Sequence, residues 1–125
     1  MKMTGSKFID SSVWLEYLLK GSFRDMIEGD EIFFLSAMSL FEIKKKLVKA
    51  SPPSDIIINS MKFIKKKSFI VSIDSEIAEY AAEISILHNL GAVDALIYAS
   101  ALKNNVELIT LDNDFRGLKE AIILD

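Results

Sequence analysis

Five acidic residues of this sequence stand where they could act together: Asp10, Glu42, Asp94, Asp112 and Asp114. Carboxylates that are gathered without a cation raise one another's pKa values and repel one another. A hard divalent ion removes that conflict, because Mg²⁺ binds carboxylate oxygens and keeps waters that a substrate phosphate can replace. The sequence has no cysteine and only one histidine, so zinc and softer metals would find few ligands. The five acids therefore predict a Mg²⁺ or Mn²⁺ site.

Most of these acids also have a simpler explanation in local structure. Asp10 could be the N-cap of the helix that follows it. Asp94 could be a first-turn acid that interacts favourably with the helix dipole. Asp112 and Asp114, in the segment LITLDNDF, could be ordinary turn residues, since Asp side chains bond their own backbone. These explanations need no common location, whereas a metal site requires that the fold bring the acids together.

The remaining acid, Glu42, precedes a basic run on a predicted helix. Lys45 and Lys46 follow it by three and four residues, a spacing at which Glu and Lys form a favourable surface pair. Together with Lys49, these lysines lie on the Glu42 side of that helix. A solvated helix face is one interpretation of them, and contact with the phosphates of a nucleic acid is the other.

Strands and helices alternate along the chain, and they must position these side chains. Short apolar runs predict strands over 7–9, 31–37, 69–73, 106–110 and 121–124. Apolar residues at helical spacing predict helices over 12–20, 38–50, 55–66, 75–88 and 92–103. This alternation predicts an α/β domain whose mostly parallel sheet is covered by helices on both faces. Ligands of such sheets bind at the carboxyl ends of the strands, where Asp10 and Asp112 fall.

Some details of the helices are also predicted. The two prolines of SPPS are expected to end one helix, with Ser54 as the N-cap of the next. The apolar stripe of the fourth predicted helix is expected to run from Ile77 to Leu87. Asn104 and Asn105 are expected to end the fifth helix in the left-handed conformation.

Length and composition are those of one globular domain, taken here as residues 1–125. Half of the 125 residues are hydrophobic, so a core can form. The formal charge is −3, but without the five clustered acids 13 of the 18 acidic side chains remain against 15 basic ones. The acidic total therefore does not exclude a nucleic-acid ligand. No segment reaches the ~18 continuous apolar residues of a membrane helix, and MKMTGSKFID does not resemble a secretory signal. We expect a cytoplasmic protein without membrane contact.

Four segments, taken in order, resemble the PIN-domain ribonucleases, and most closely the VapC-type toxins of prokaryotic toxin–antitoxin pairs. These segments are FIDSSVWLEYL, SLFEI, VDALIYASAL and LITLDNDF. The resemblance covers nearly the whole chain. It implies a single-domain, three-layer α/β/α fold with a central, mostly parallel sheet. It also implies that an acidic pocket hydrolyses RNA phosphodiesters with the help of Mg²⁺ or Mn²⁺.

The resemblance assigns roles to individual residues. The four metal-binding and catalytic acids of the family correspond to Asp10, Glu42, Asp94 and Asp112. Ser12 matches a small polar residue that supports the first acid, and Thr110 matches a hydroxyl residue at the end of the fourth strand. Asp114 matches a position that is often acidic. We expect Asp112 to be the stronger ligand of the two, because it follows the strand more directly.

The same resemblance implies the partners of the protein. VapC-type toxins cleave RNA, bind a protein antitoxin and form homodimers. A hydrophobic groove for the antitoxin would use large apolar side chains that one small core does not obviously require. The candidates for this groove are Trp14, Phe23, Phe33, Phe34 and Phe41.

Other functions fit parts of the sequence. A PIN-type nuclease that processes RNA without being a toxin has the same acids. A non-catalytic PIN-like interaction module would be expected to lack one or more of them, and none is missing. A phosphotransfer domain shares the α/β plan, but a dehalogenase needs a second Asp where this chain has Ser12. A receiver domain needs paired acids before the first strand, and MKMTGS supplies none.

Overall fold

A parallel sheet forms the centre of the computed structural model, which describes residues 6–125. Its five strands are β1 Lys7–Ile9, β2 Phe33–Ser36, β3 Ser68–Val71, β4 Glu107–Thr110 and β5 Ala121–Ile123. Their order is β3-β2-β1-β4-β5, and every adjacent pair is parallel. The strand order reverses between β1 and β4, because β2 and β3 extend the sheet on one side of β1 and β4 and β5 on the other. Ligands of open α/β sheets bind at this switch point.

Helices connect the strands. The described residues form α1 Ser11–Lys20, α2 Arg24–Ile27, α3 Ala37–Ala50, α4 Ser54–Lys67, α5 Ser75–His88 and α6 Ala92–Lys103. Two of these helices begin with a side-chain cap that satisfies a free backbone N–H. The Ser36 hydroxyl accepts from the Met38 N–H before α3, and the Asp74 carboxylate accepts from the Ile77 N–H before α5. A single 3-10 turn, Asn113–Phe115, follows β4.

The helices cover both faces of the sheet, which gives three layers. Phe8 and Leu108 are paired across β1 and β4, point to one face and pack against α5 and α6. Ile9 and Ile109, the next pair, point to the opposite face and pack against α1, α3 and α4. All four side chains are buried. This alternation is the period of two that a strand imposes on its side chains, and it fixes the direction in which each strand end points.

The structure confirms the predicted α/β fold class and its parallel sheet. Each of the ten predicted elements is present, with helix limits within one residue and strand limits within two. Two short elements were not predicted: α2, which is too short to show helical periodicity, and the 3-10 turn over 113–115.

Two finer predictions were wrong, and a third was right for one of its two residues. Ser54 is the first residue of α4 and not its N-cap, which is Pro53. Leu87 is 76% exposed, because ten residues after Ile77 an α-helix has turned about 80° short of three full turns. Asn105 has the expected left-handed conformation, with φ at 56°, whereas the φ of Asn104 is −93°.

The candidate aromatic groove is mostly core. Trp14 and Phe33 are fully buried, and Phe23 and Phe34 are partly buried against the same cores. Only Phe41 of this set is strongly exposed, at 60%.

Within residues 6–125, no single helix is both long and apolar enough to cross a membrane. The consecutive helices α5 and α6 meet that criterion only as a pair, and they are bent by 114° relative to each other.

Candidate metal centre

Asp10 follows β1 at the carboxyl edge of the sheet and is 6% exposed. It occupies the N-cap position of α1, but its side chain makes no capping hydrogen bond. Two hydroxyl groups donate to its Oδ2 instead, from Ser12 at 2.8 Å and from Thr110 at 2.7 Å. The capping explanation for this acid therefore does not account for its side chain.

The same two hydroxyls accept hydrogen bonds from the loop after β4. The Leu111 N–H donates to the Ser12 oxygen at 3.0 Å, and the Asp112 N–H donates to the Thr110 oxygen at 3.0 Å. A hydroxyl has one proton to donate. Each of these two hydroxyls donates that proton to the Asp10 carboxylate and accepts a hydrogen bond from a backbone N–H of the loop. The arrangement ties the loop that carries Asp112 to Asp10.

Opposing effects act on the pKa of Asp10. Burial raises it most, while the hydrogen bonds from Thr110, from Ser12 and from the Ser11 backbone lower it, and the charge of Asp112 raises it. The net effect is a pKa above the ordinary value for Asp. Without a cation, the carboxylate is therefore only partly compensated for leaving water.

Glu42 reaches the same region from α3. Its Oε1 accepts a 3.1 Å hydrogen bond from the hydroxyl of Ser11, the first residue of α1. Burial raises the pKa of Glu42 most; the Ser11 hydrogen bond lowers it, the Asp10 charge raises it and the Lys46 charge lowers it. Of the two lysines that were predicted to pair with Glu42, only Lys46 affects its pKa. The side chain that contacts Glu42 directly is that of Ser11. Ser11 was not among the predicted site residues, because only the packing of α1 on α3 shows this contact.

Asp94 lies in the first turn of α6, whose N-cap is Gly91. Burial raises the pKa of Asp94 to about 6, and the charges of four other acids contribute, in the order Asp112, Asp10, Asp114 and Glu42. The fold therefore places Asp94 near the other four acids, which come from the end of β1, from α3 and from the turn after β4.

Three of these acids are close enough to share one ion. Asp94, Asp112 and Asp114 each offer a carboxylate oxygen, and these oxygens lie within 4.8 Å of one another. The Asp112 Oδ1 also accepts a 2.9 Å hydrogen bond from the Asp114 N–H, which begins the 3-10 turn. Asp112 and Asp114 are therefore turn residues and members of the acidic triad at the same time, because the turn directs Asp114 towards Asp94.

The donor set fits a hard divalent cation. All three groups of the triad are carboxylates, which suit Mg²⁺ and Mn²⁺ better than soft metals. Asp10 and Glu42 lie outside the triad but close enough to raise the pKa of Asp94. His88 is exposed at the end of α5, beside Tyr98, and contributes no ligand to this site.

The lysines of the sequence have diverse surroundings. Lys46 faces Glu42 closely enough to lower its pKa, and Lys49 is exposed. Lys45 lies over the exposed ring of Phe41. Lys67 is not part of a solvated face: it is 8% exposed, and its Nζ donates to two backbone carbonyls of the segment before β2. Its position in a run of three lysines, at 65–67, gives no sign of this burial.

The fold and the five acids define an α/β domain with a candidate metal centre at the carboxyl edge of a parallel sheet. The chain belongs to the PIN domain family, whose pattern its sequence matches over residues 7–121. No protein of curated function matches the sequence.

Solved structures of toxin–antitoxin proteins are similar to this chain. A toxin–antitoxin complex from Klebsiella pneumoniae has a TM-score of 0.78 at 20% identity, over 94% of this chain and 96% of that chain. VapBC2 from Rickettsia felis, bound to a DNA fragment from its promoter, has a TM-score of 0.76 at 16% identity, over 94% and 96%. VapC20 from Mycobacterium tuberculosis, a sarcin–ricin loop cleaving toxin, has a TM-score of 0.70 at 17% identity, over 91% and 95%. At these identities the likeness shows the shared fold.

Proposed function

We propose that this protein is a metal-dependent endoribonuclease that hydrolyses RNA phosphodiesters at the acidic site. The observation that carries the proposal is the acidic triad, in which carboxylate oxygens of Asp94, Asp112 and Asp114 lie within 4.8 Å of one another, and the charges of Asp10 and Glu42 also act on Asp94. An arrangement of this kind raises the free energy of the metal-free protein, and a divalent cation relieves it. Membership in the PIN domain family supports the same conclusion.

The residues divide into those that would hold the ion and those that prepare the site. Asp94, Asp112 and Asp114 would hold one Mg²⁺ or Mn²⁺, since their oxygens are the closest group. The ion, when bound, supplies positive charge to the phosphodiester and lowers the pKa of a bound water. Asp10, fixed by Ser12 and Thr110, adds negative charge beside the triad.

Glu42 extends the site on the side of α3. The Ser11 hydroxyl fixes its Oε1, so the carboxylate is oriented before substrate binds. Its raised pKa brings Glu42 nearer to the range in which a carboxylate exchanges protons with water at neutral pH. We assign Glu42 to the catalytic site together with Asp10, Asp94 and Asp112.

The test is RNA cleavage by the purified protein with Mg²⁺ or Mn²⁺, compared with EDTA. Asp10→Asn and Asp94→Asn are expected to lower the rate by about 100-fold or more, since each removes a charge from the site. Asp30→Asn is the matched control, because it neutralises an exposed acid that precedes β2 and is therefore away from the carboxyl edge of the sheet. Cleavage that survives EDTA, or that both site variants retain, would overturn the proposal.

We further propose that the nuclease is the toxin of a toxin–antitoxin pair, acts in the cytoplasm and forms a homodimer. The likeness to toxin–antitoxin complexes supports an antitoxin protein as partner. Expression in bacteria is expected to arrest growth, and co-expression of the neighbouring gene's product is expected to relieve the arrest. Arrest by Asp94→Asn would contradict nuclease toxicity. Cleavage without any arrest would favour an RNA-processing nuclease that is not a toxin.

The oligomeric state has its own measurement. Light scattering of the purified chain is expected to give twice the 14.0 kDa of one copy. A mass of one copy would contradict the homodimer and leave the nuclease assignment to the cleavage assay.

A further inference from the structure

A groove lies between the first half of α3 and the second half of α4, with a volume of about 530 Å³. Its lining combines apolar and basic side chains, which include Leu40, Phe41, Met61, Lys44, Lys45 and Lys65. The described lining contains no acidic residue. The groove is therefore a positively charged surface on a protein whose formal charge is −3.

Packing of α3 on α4 creates this charge. Lys44 and Lys45 belong to the basic run after Glu42, and Lys65 belongs to a second run at the end of α4. All three are exposed, and none of them forms an ion pair with a described acid. Their charges are therefore available to an anionic ligand.

Phe41 gives the groove an aromatic surface. Its side chain is 60% exposed, although a phenyl ring in water costs the free energy that burial would recover. The Nζ of Lys45 lies 5.8 Å from the centre of this ring. Met61, which is 8% exposed, lies in the apolar part of the lining. A ring that can stack on a base, next to cations that can contact phosphates, is the combination that binds single-stranded nucleic acid.

We propose that this groove binds single-stranded RNA next to the bond that is cut, with Phe41 stacked on a base and Lys44, Lys45 and Lys65 in contact with phosphates. The identity of the bound strand as substrate rests on the proposed nuclease function. Phe41 and Glu42 are consecutive residues of α3. The groove and the acidic site therefore share α3, and a strand bound in the groove can continue along this helix to the acids.

An acidic peptide is the other ligand that would match the charge. The exposed ring of Phe41 favours RNA, because any base can stack on an aromatic ring. An apolar side chain of a peptide would pack equally well against an aliphatic residue at this position. Replacement of Phe41 by leucine therefore separates the two ligands.

The experiment measures binding of a short fluorescent oligouridylate by anisotropy in EDTA, with the full-length Asp94→Asn chain as the parent. The test variants are Phe41→Leu and the pair Lys44→Gln with Lys65→Gln. Phe69→Leu is the matched control for the ring, because Phe69 is 61% exposed on β3. The pair Lys20→Gln with Lys62→Gln removes the same charge from exposed positions outside the groove.

Phe41→Leu is expected to weaken RNA binding by roughly fivefold or more, with an unchanged dependence on salt. The double lysine variant is expected to lower the slope of log affinity against log salt by about 1.4, since each lost phosphate contact in a single strand removes about 0.7. Both control variants are expected to match the parent. Equal affinity of the groove variants and the parent for RNA would overturn the proposal.

The result separates this proposal from the proposed function. Metal-dependent cleavage by the wild type, together with unchanged RNA affinity of the groove variants, would overturn the groove and keep the nuclease. Groove-dependent RNA binding without any cleavage would keep the groove proposal and overturn the nuclease. If the groove variants keep their RNA affinity but lose binding of a synthetic acidic helical peptide, the groove belongs to a protein partner and the RNA proposal is wrong.

Discussion

The Thr110 hydroxyl lies 2.7 Å from the Oδ2 of Asp10 and donates a hydrogen bond to it. The same hydroxyl oxygen accepts a 3.0 Å hydrogen bond from the Asp112 N–H. Thr110 is fully buried, and Asp10 is nearly so. One hydroxyl thus couples the acid at the end of β1 to the backbone of the acid after β4, which makes Thr110 a positioning residue of the candidate metal centre.

Thr110→Val removes this coupling while it keeps the shape of the side chain. We expect the affinity for Mn²⁺ to fall by about 10-fold or more, as is usual when a residue that orients a metal ligand is lost. The free energy of unfolding should fall by about 1–3 kcal/mol, because the Asp112 N–H loses its acceptor. Calorimetric titration with Mn²⁺ and denaturant unfolding measure the two effects. Thr110→Ser retains the hydroxyl and should stay close to the wild type; equal losses in both variants would contradict the coupling.

Asp94→Asn is expected to stabilise the metal-free protein at neutral pH. The pKa of Asp94 is raised from 3.8 to about 6 in the folded protein, so the folded state holds the proton more tightly than the unfolded state. The free energy of unfolding therefore falls as the pH rises through this interval. Asn carries no charge, so the variant should be more stable than the wild type at pH 7 by about 1–2 kcal/mol.

This gain should disappear near pH 4, where Asp94 is protonated in the folded protein. Thermal unfolding at the two pH values, in EDTA, measures the difference. Addition of Mn²⁺ should reverse the order at pH 7, since only the wild type keeps the full ligand set. Asp30→Asn, at an exposed position, should change neither the stability in EDTA nor the stabilisation by Mn²⁺. A lower stability of Asp94→Asn in EDTA at pH 7 would show that the charge of Asp94 is compensated without a metal.

Metal affinity should depend on pH through the same group. Below about pH 6, a proton competes with the ion for Asp94, so the affinity for Mn²⁺ should rise from pH 5 to pH 7 and then level off. Titration calorimetry in two buffers of different ionisation enthalpy should show proton release at pH 6 and much less at pH 7.5. An affinity that is constant over this range would contradict the competition between a proton and the ion at Asp94.

Lys67→Met tests the buried lysine that the structure revealed. The Lys67 Nζ donates to the carbonyls of Gly29 at 2.5 Å and Glu31 at 2.6 Å, just before β2. Its loss leaves two carbonyls without this donor, and we expect the free energy of unfolding to fall by about 2–3 kcal/mol. Denaturant unfolding measures this change. Lys66→Met, at the exposed neighbouring position, should have an effect within about 0.5 kcal/mol.

The strand ends could be predicted from the sequence because parallel strands share their carboxyl edge. Asp10 and Asp112 each follow an apolar run, and β1 and β4 are indeed neighbours in the sheet. The location of Asp94 was harder to predict, because it depends on where α6 begins relative to that edge. Its sequence pattern alone was equally compatible with a helix-dipole contact.

Contacts between helices could not be predicted from periodicity. The hydrogen bond from Ser11 to Glu42 requires the packing of α1 on α3, and FIDSS contains two adjacent serines with no local signal to separate them. Likewise, Lys45 and Lys65 lie in separate basic runs, and only the packing of α3 on α4 places them on one groove. Periodicity predicts which face of a helix is buried, but not which helix covers it.

The two acids of LITLDNDF are expected to differ in what their replacement changes. Asp112 accepts the Asp114 N–H, and the amide oxygen of Asn can accept the same bond. Asp112→Asn should therefore keep the turn and lose only charge, whereas Asp112→Ala should lose both. Asp114→Asn should lose only charge, because the contact involves its backbone. Since both carboxylates belong to the triad, each Asn variant should weaken Mn²⁺ binding by about 10-fold or more.

Two measurements separate metal binding from the stability of the turn: titration with Mn²⁺ and denaturant unfolding in EDTA. Both are made on Asp112→Asn, Asp112→Ala and Asp114→Asn. We expect a loss of stability, of about 1 kcal/mol, only for Asp112→Ala. Wild-type Mn²⁺ affinity in Asp114→Asn would mean that Asp114 does not bind the ion, and that Asp94 and Asp112 hold it with another group. Asp10 would then be the candidate, because the Thr110 hydroxyl joins its carboxylate to the backbone of Asp112. Asp10→Asn should in that case weaken Mn²⁺ binding as strongly as Asp112→Asn does.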